Sequence, residues 1–164
     1  MSPRAVILFA AGTAIAAVLV PAKPRLIWNA TASAPVGLYL VLPVRDLSRG
    51  DLVLADPPGW MRPLAAARGY LPLHVPLVKR IAALSGDRVC ALENRIILNG
   101  RVVALRRERD ARHRSLPRWL GCRTLGVNDA FLLMADVPTS FDGRYFGVVS
   151  RGAVLGKLQP LWTY

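Results

Sequence analysis

Residues Ala5 to Ala22 read AVILFAAGTAIAAVLVPA, an uncharged apolar run at the lower limit of the ~18 residues that cross a bilayer. We read it as a membrane segment within residues 1–25, favouring a retained anchor. The alternative is a signal peptide cut after Ala22, where Val20 and Ala22 supply small residues at −3 and −1. Arg4 on one side and Lys23 and Arg25 on the other give no clear positive-inside signal. Trp28 suits an interfacial belt. From residue 26 to residue 164 the pattern changes to short apolar runs punctuated by Gly, Pro, Asn and Asp, which reads as a β-rich domain. It predicts strands over Leu38–Leu42, Asp51–Ala55, Leu77–Leu84, Arg88–Leu92, Arg95–Leu98, Arg101–Ala104, Phe131–Ala135, Tyr145–Val149 and Ala153–Leu158. Asn99-Gly100, between RIIL and RVVA, is a type I′ hairpin signal. One helix is expected, over Met61–Arg68.

A chain of 164 residues holds one domain plus an anchor. Its 53% apolar and 20% charged residues exclude a disordered chain. The net charge of +12 comes mostly from arginine, since only Lys23, Lys79 and Lys157 are lysine. Eight arginines fall between Arg101 and Arg123 against Glu108 and Asp110, and this Arg-rich insert reads as a solvated or lipid-facing loop. Nucleic acid is not an expected partner, because Trp119 is the segment's only aromatic and no RNA-binding motif accompanies it. Cys90, Cys122, His74 and His113 form no local metal-ligand spacing, so neither metal nor cofactor is expected. An exported domain would let Cys90 and Cys122 close a loop around the insert; two buried thiols are the alternative.

Two residues could carry chemistry. Ser33 lies in Thr31-Ala32-Ser33-Ala34-Pro35-Val36-Gly37, where Pro35 and Gly37 fix a bend that can hold a nucleophile exposed at the mouth of a sheet. Taken alone it is an ordinary turn serine. The histidines are poor bases for it, His113 being embedded among arginines and His74 in a Pro-flanked loop. Lys79 is better placed, because strand alternation sets it on one face with Leu77, Ile81 and Ala83. An amine there loses hydration and its pKa falls, which arginine cannot do. A lysine that snorkels from an edge strand is the bland alternative.

Four motifs follow one another: Ser33 in S-x-P-x-G-L-Y, Arg49-Gly50-Asp51-Leu52-Val53, Lys79-Arg80-Ile81-Ala82-Ala83-Leu84-Ser85-Gly86-Asp87-Arg88-Val89, and Ser140-Phe141-Asp142-Gly143-Arg144-Tyr145-Phe146-Gly147. In this order they resemble the type I signal peptidase family. The S-x-P-x-G-L-Y form and the short chain look most like its conjugative-transfer, TraF-type branch. The resemblance implies a signal-peptidase-like, mainly β, antiparallel domain behind one N-terminal membrane segment. It implies Ser33 as nucleophile, Lys79 as general base, Ser140 as the hydroxyl that orients the amine, and Asp142 with Arg144 as a pair supporting one wall. The Ser33 N–H would form an oxyanion hole, with Thr31 as a second donor. Ala34 and Pro35 follow the serine where most leader peptidases have methionine and a later proline, and Ser85 replaces a usual proline; both departures favour a dedicated substrate.

The function these residues imply is a membrane-anchored serine endopeptidase that cuts an exported precursor, a conjugative pilin subunit, on the periplasmic side of a bacterial inner membrane. Its partners would be a membrane-associated precursor protein and the lipid bilayer. A generic type I signal peptidase is one alternative. A non-catalytic membrane-tethered assembly protein that binds a partner through the Arg-rich segment is the other.

Overall fold

The structure, a computed structural model, describes residues 25–164. The expected membrane segment at residues 5–22 lies outside the described residues. Among those described, no helix is long and apolar enough to cross a membrane.

The fold is mainly antiparallel β. Its strands are β1 (Leu26–Asn29), β2 (Gly37–Leu42), β3 (Leu52–Ala55), β4 (Leu77–Ala83), β5 (Arg88–Leu92), β6 (Arg95–Leu98), β7 (Arg101–Leu105), β8 (Gly121–Thr124), β9 (Asp129–Leu132), β10 (Val149–Ser150) and β11 (Val154–Thr163). Among the described residues two short α-helices, α1 (Met61–Ala67) and α2 (Gly143–Phe146), and a 3-10 turn at Arg151–Ala153 interrupt them. Seven strands form one sheet in the order β1-β2-β11-β3-β4-β9-β10, and β7-β6-β5-β8 form a second. The C-terminal strand β11 therefore lies between β2 and β3, pairing Leu158 with Val41 on one side and Lys157 with Val53 on the other.

Burial explains the central strands. All four residues of β3 are buried, Val53 and Ala55 in a core with Met61, Ala65, Leu77, Ile81 and Phe146, and Leu52 and Leu54 in another with Tyr39, Val78, Met134 and Leu158. Both faces of this strand are covered, which is why it reads as a continuous apolar run. A third core, built around Val89, Ile96, Phe131 and Leu133, joins the small sheet to β9. In α1 Pro63 falls in the first turn, where its missing N–H removes no helical bond.

Several expectations need correction. Tyr145–Val149 is not a strand: Asp142 caps a helical turn by accepting the Arg144 N–H, so α2 occupies residues 143–146 and only Val149–Ser150 is extended. Gly143 is required there, since a Cβ would come within 2.6 Å of the Leu132 carbonyl oxygen. β1 and β8 were not expected. All four residues of β8 are exposed, so it carries no apolar alternation, and β1 is a four-residue edge strand. The strand expected to end at Leu158 runs on to Thr163.

The Arg-rich insert is not one solvated loop. Its ends are β7 and β8, and Arg106 is only 6% exposed, donating to the carbonyls of Glu93 and Trp119. Trp119 Nε1 donates to the Gly143 carbonyl at 2.8 Å, and Asp110 binds both Tyr70 and Arg114, so the insert packs behind α2. Cys90 and Cys122 face each other across β5 and β8 and form a disulfide. Closing a loop between residues 32 apart restricts the unfolded chain. Replacing both cysteines with serine should therefore cost about 3–4 kcal/mol in the chain-entropy picture. Equilibrium denaturation of the variant beside the oxidised protein measures this; a difference below about 1 kcal/mol would show that the bridge is not a main support of the small sheet.

Candidate active site

The seven residues between β1 and β2 form a loop whose ends are tied by the pairing of Asn29 with Gly37. Gly37 has φ +149°, and a Cβ there would meet the Trp162 carbonyl oxygen at 2.1 Å, so the loop can close only on glycine. Ser33 sits at the turn, half-buried, with the Ala34 N–H reaching back to the Thr31 carbonyl at 3.4 Å. Tyr39, 1% exposed, donates its hydroxyl to the Pro35 carbonyl at 2.6 Å and fixes the far side of the loop.

Lys79 comes from the middle of β4, opposite Val53 of β3. Its neighbours Leu77, Val78 and Ile81 are buried, and Lys79 is itself only 4% exposed. The snorkelling alternative is thereby removed, since a snorkelling amine would reach water. Its Nζ lies 2.7 Å from Ser33 Oγ, across 46 residues of sequence. Burial lowers its pKa from 10.5 to about 8; the Asp142 charge pulls it up and the Arg144 charge pushes it down.

Asp142 and Arg144 form a buried ion pair, Nη1 to Oδ2 at 2.8 Å, with side chains at most 1% exposed. The carboxylate also accepts the N–H groups of Met134 at 3.0 Å and Arg144 at 3.1 Å, while Arg144 Nη2 donates to the Met134 carbonyl at 2.7 Å. Burial raises the Asp142 pKa against these favourable contacts. The pair is close to neutral as a unit, so burial decides the state of Lys79.

Ser140 is 2% exposed, but its Oγ has no hydrogen-bond partner among the described residues. The contact that would orient the lysine amine is therefore not made. Arg144 Nε is unpaired in the same way, so this wall holds two unused polar atoms. Thr31 Oγ1 lies 3.4 Å from Ser33 Oγ, and the Ser33 N–H donates to no group among the described residues. His74 and His113 are exposed, and neither forms a hydrogen bond to Ser33 or Lys79 among the described residues. Motif and spacing assign no role to Asn29, or to Tyr39 at the end of S-x-P-x-G-L-Y, yet both hold the loop. The one signal for Asn29 was its place two residues before Thr31, where an Asn side chain can bond the backbone two positions on.

Comparison with known proteins places the chain. Residues 3–162 match the family described as signal peptidase, peptidase S26. A plasmid transfer protein TraF of Escherichia coli is 35% identical over 147 residues, covering 83% of this chain and 82% of its own. The conjugal transfer protein TraF of Agrobacterium fabrum (strain C58 / ATCC 33970) is 32% identical over 148 residues, with 83% and 81% covered. A solved signal peptidase I from Enterococcus faecalis V583 aligns with a TM-score of 0.41 at 19% identity, over 71% of this chain and all of that one. The chain belongs to the signal peptidase family, peptidase S26.

The lowered lysine pKa carries a stability consequence. Between pH 8 and 10.5 the unfolded chain holds a proton on Lys79 that the native protein has shed, so raising the pH favours the native state over that window. Stability from this group should rise by about 3 kcal/mol across it. Lys79→Met should lack that rise when the two proteins are unfolded in parallel through the same pH range; an identical profile would show that the amine is not desolvated.

Proposed function

We propose that this protein is a membrane-anchored serine endopeptidase that cuts an exported precursor on the periplasmic face of a bacterial inner membrane, with a conjugative pilin subunit as substrate. Ser33 is the nucleophile and Lys79 the general base. The observation that carries this reading is the 2.7 Å contact between a half-exposed hydroxyl and an amine buried to 4% exposure. A hydroxyl needs a base within hydrogen-bond reach, and a desolvated amine is neutral near its operating pH.

In this mechanism neutral Lys79 Nζ takes the Ser33 proton as Oγ bonds to the scissile carbonyl carbon. The oxyanion is held by the Ser33 N–H, with Thr31 beside it. Collapse breaks the carbon–nitrogen bond, and the lysine ammonium gives its proton to the departing amine. Water, or an incoming amine, then attacks the acyl-enzyme as Nζ accepts its proton, and Oγ leaves with that proton restored.

Three observations support the location and the substrate. The Cys90–Cys122 disulfide suits an oxidising compartment such as the periplasm. Trp28, Trp162 and Tyr164 form an exposed aromatic cluster with ring centroids 5.6–6.4 Å apart, and the side chains that line membrane interfaces are of this kind. Trp28 and Trp162 both pair with Leu38 of β2, one row from the Asn29–Gly37 pair at the base of the Ser33 loop. The third observation is the set of relatives named for plasmid and conjugal transfer, which favours a dedicated substrate over general preprotein processing.

Ser33→Ala should abolish cleavage of a membrane-bound precursor while leaving stability within about 1 kcal/mol of the wild type. Lys79→Arg should be as inactive as Lys79→Ala, because a guanidinium keeps the charge but cannot take the proton. The wild-type rate should climb with pH through a midpoint near 8. Steady-state cleavage across a pH series reads all three, and substantial activity in Lys79→Arg would make Lys79 an electrostatic anchor.

Ser33 stands only 11 positions after Ala22, a reach of at most about 35–40 Å. Precursors whose cleavage site is moved tens of residues away from their own apolar segment should accordingly be cut much more slowly in vesicles. Equal turnover of near and distant sites would contradict a membrane-surface active site.

A further inference from the structure

The loop that carries Ser33 projects beyond the strand ladder, so its backbone groups must be satisfied by something other than the sheet. One side chain does most of this. Asn29, the last residue of β1, is only 4% exposed. Its Nδ2 donates to the carbonyls of Thr31 at 3.0 Å, Ala34 at 3.2 Å and Pro35 at 3.0 Å. Its Oδ1 accepts the Thr31 N–H at 3.1 Å and the Thr31 hydroxyl at 2.7 Å. Carbonyls can only accept and an amide N–H can only donate, so the two ends of the carboxamide are assigned by their partners.

We propose that Asn29 is the positioning residue of the nucleophile loop: its buried carboxamide gathers the carbonyls on either side of Ser33 and takes the Thr31 proton, leaving the Ser33 proton to Lys79. The proposal rests on the reading of Ser33 as nucleophile. Thr31 has a single hydroxyl hydrogen, and the 2.7 Å bond to Asn29 Oδ1 outcompetes the 3.4 Å contact with Ser33 Oγ. Ser33 therefore receives no proton from Thr31 in the resting site; Lys79 Nζ donates to its Oγ at 2.7 Å, and once the amine is neutral the Ser33 O–H can turn to Nζ.

The arrangement also defines the part Thr31 plays. A hydroxyl held by Asn29 is kept 3.4 Å from Ser33 Oγ, beside the place where the proposed reaction would form its oxyanion. Aspartate is nearly the same shape as asparagine, but it would aim a second acceptor at three carbonyl oxygens and so cannot replace it. Tyr39, which binds the Pro35 carbonyl, supports the far side of the loop and makes no hydrogen bond to Thr31 among the described residues.

The test uses the full chain in lipid vesicles and, as probe, a peptide with alanine at −3 and −1 of the cleavage site behind an apolar segment. Steady-state kinetics are read at a temperature where circular dichroism shows each variant folded. Asn29→Asp should lower kcat by about 100-fold with KM within threefold of the wild type, since misplacement near the reacting atoms costs that much. A purely structural role would instead lower the melting temperature and leave kcat of the folded fraction intact, which would overturn the proposal.

Should Asn29→Asp not fold, Asn29→Ser and Thr31→Val supply the reading. Thr31→Val should lose kcat and not KM, and Thr31→Ser, which keeps the hydroxyl, should lose less. Combining Thr31→Val with Asn29→Ser should be little worse than Asn29→Ser alone, because both break the same chain of bonds. Fully multiplicative losses would overturn the claim that Asn29 acts through Thr31. Retained activity in Ser33→Ala, run beside these, would overturn the peptidase reading itself, whereas an inactive Ser33→Ala beside a fully active Asn29→Ser would overturn only the role of Asn29.

Discussion

Removal of the Lys79 amine from water is the constraint on which the site depends. An ammonium in that position has lost its hydration and gains no fixed carboxylate partner of its own, because the nearest acid, Asp142, is already bound to Arg144. Burial lowers the cost of the neutral amine, so the proton leaves near pH 8 instead of 10.5, and the lone pair it uncovers lies 2.7 Å from Ser33 Oγ. Had Asp142 stood alone, its charge would have stabilised the ammonium and raised its pKa; had Arg144 stood alone, a second buried cation would have needed a partner. Pairing the two lets an acid and a base stand near Lys79 without either controlling its proton.

The sheet order brings these parts together. Ser33 precedes β2 and Lys79 lies in β4, yet in the sheet β11 and β3 stand between their strands. The loop must therefore reach over the sheet end rather than sit beside β4. The last strand in sequence is thus a central one in space, and the β2 and β4 halves of the site are fixed relative to each other only once β11 pairs with both β2 and β3. Behind the opposite wall, Trp119 bonds the Gly143 carbonyl, and the disulfide at Cys122 ties β8, which follows that segment, to β5. This gives the Arg-rich insert a structural use that its charge does not advertise.

Much of the architecture was legible in the chain because the central strands are buried and the hairpins carry their turn residues. Asn99-Gly100 lies at positive φ at both positions, at the hairpin between β6 and β7. Ser33 and Lys79 could be singled out as residue types in unusual settings, a Pro/Gly-bracketed turn and an apolar strand. What could not be read were features set by tertiary contacts. The exposed strand β8 is held by its pairing with β5 and by the Cys90–Cys122 bridge, and the helical turn at residues 143–146 is capped by Asp142, so neither follows from apolar periodicity. The orphaned Ser140 hydroxyl is a matter of ångströms, which a motif does not encode. Asn29 escaped notice because an asparagine beside a turn is commonplace, and only its burial and its five contacts distinguish it.

The two partners of the short hydroxyl–amine contact are held in unequal ways. Lys79 is carried by a strand whose residues are buried except at Arg80 and partly at Ala82, with paired neighbours on each side, so its Cα has little freedom. Ser33 is carried by a connection at the edge of the sheet, where β1 pairs with β2 alone. Edge segments open more easily than central ones, because fewer buried contacts and ladder bonds must break. The precision of a 2.7 Å contact therefore depends on the weaker side, and on that side the backbone is held by side chains, Asn29 beneath the turn and Tyr39 beyond it. The same looseness has a use, since a substrate chain must reach the serine from outside while the lysine stays dry. A hydroxyl on a tethered loop above a buried amine meets both demands, and in the proposed reaction it makes the tether as consequential as the amine.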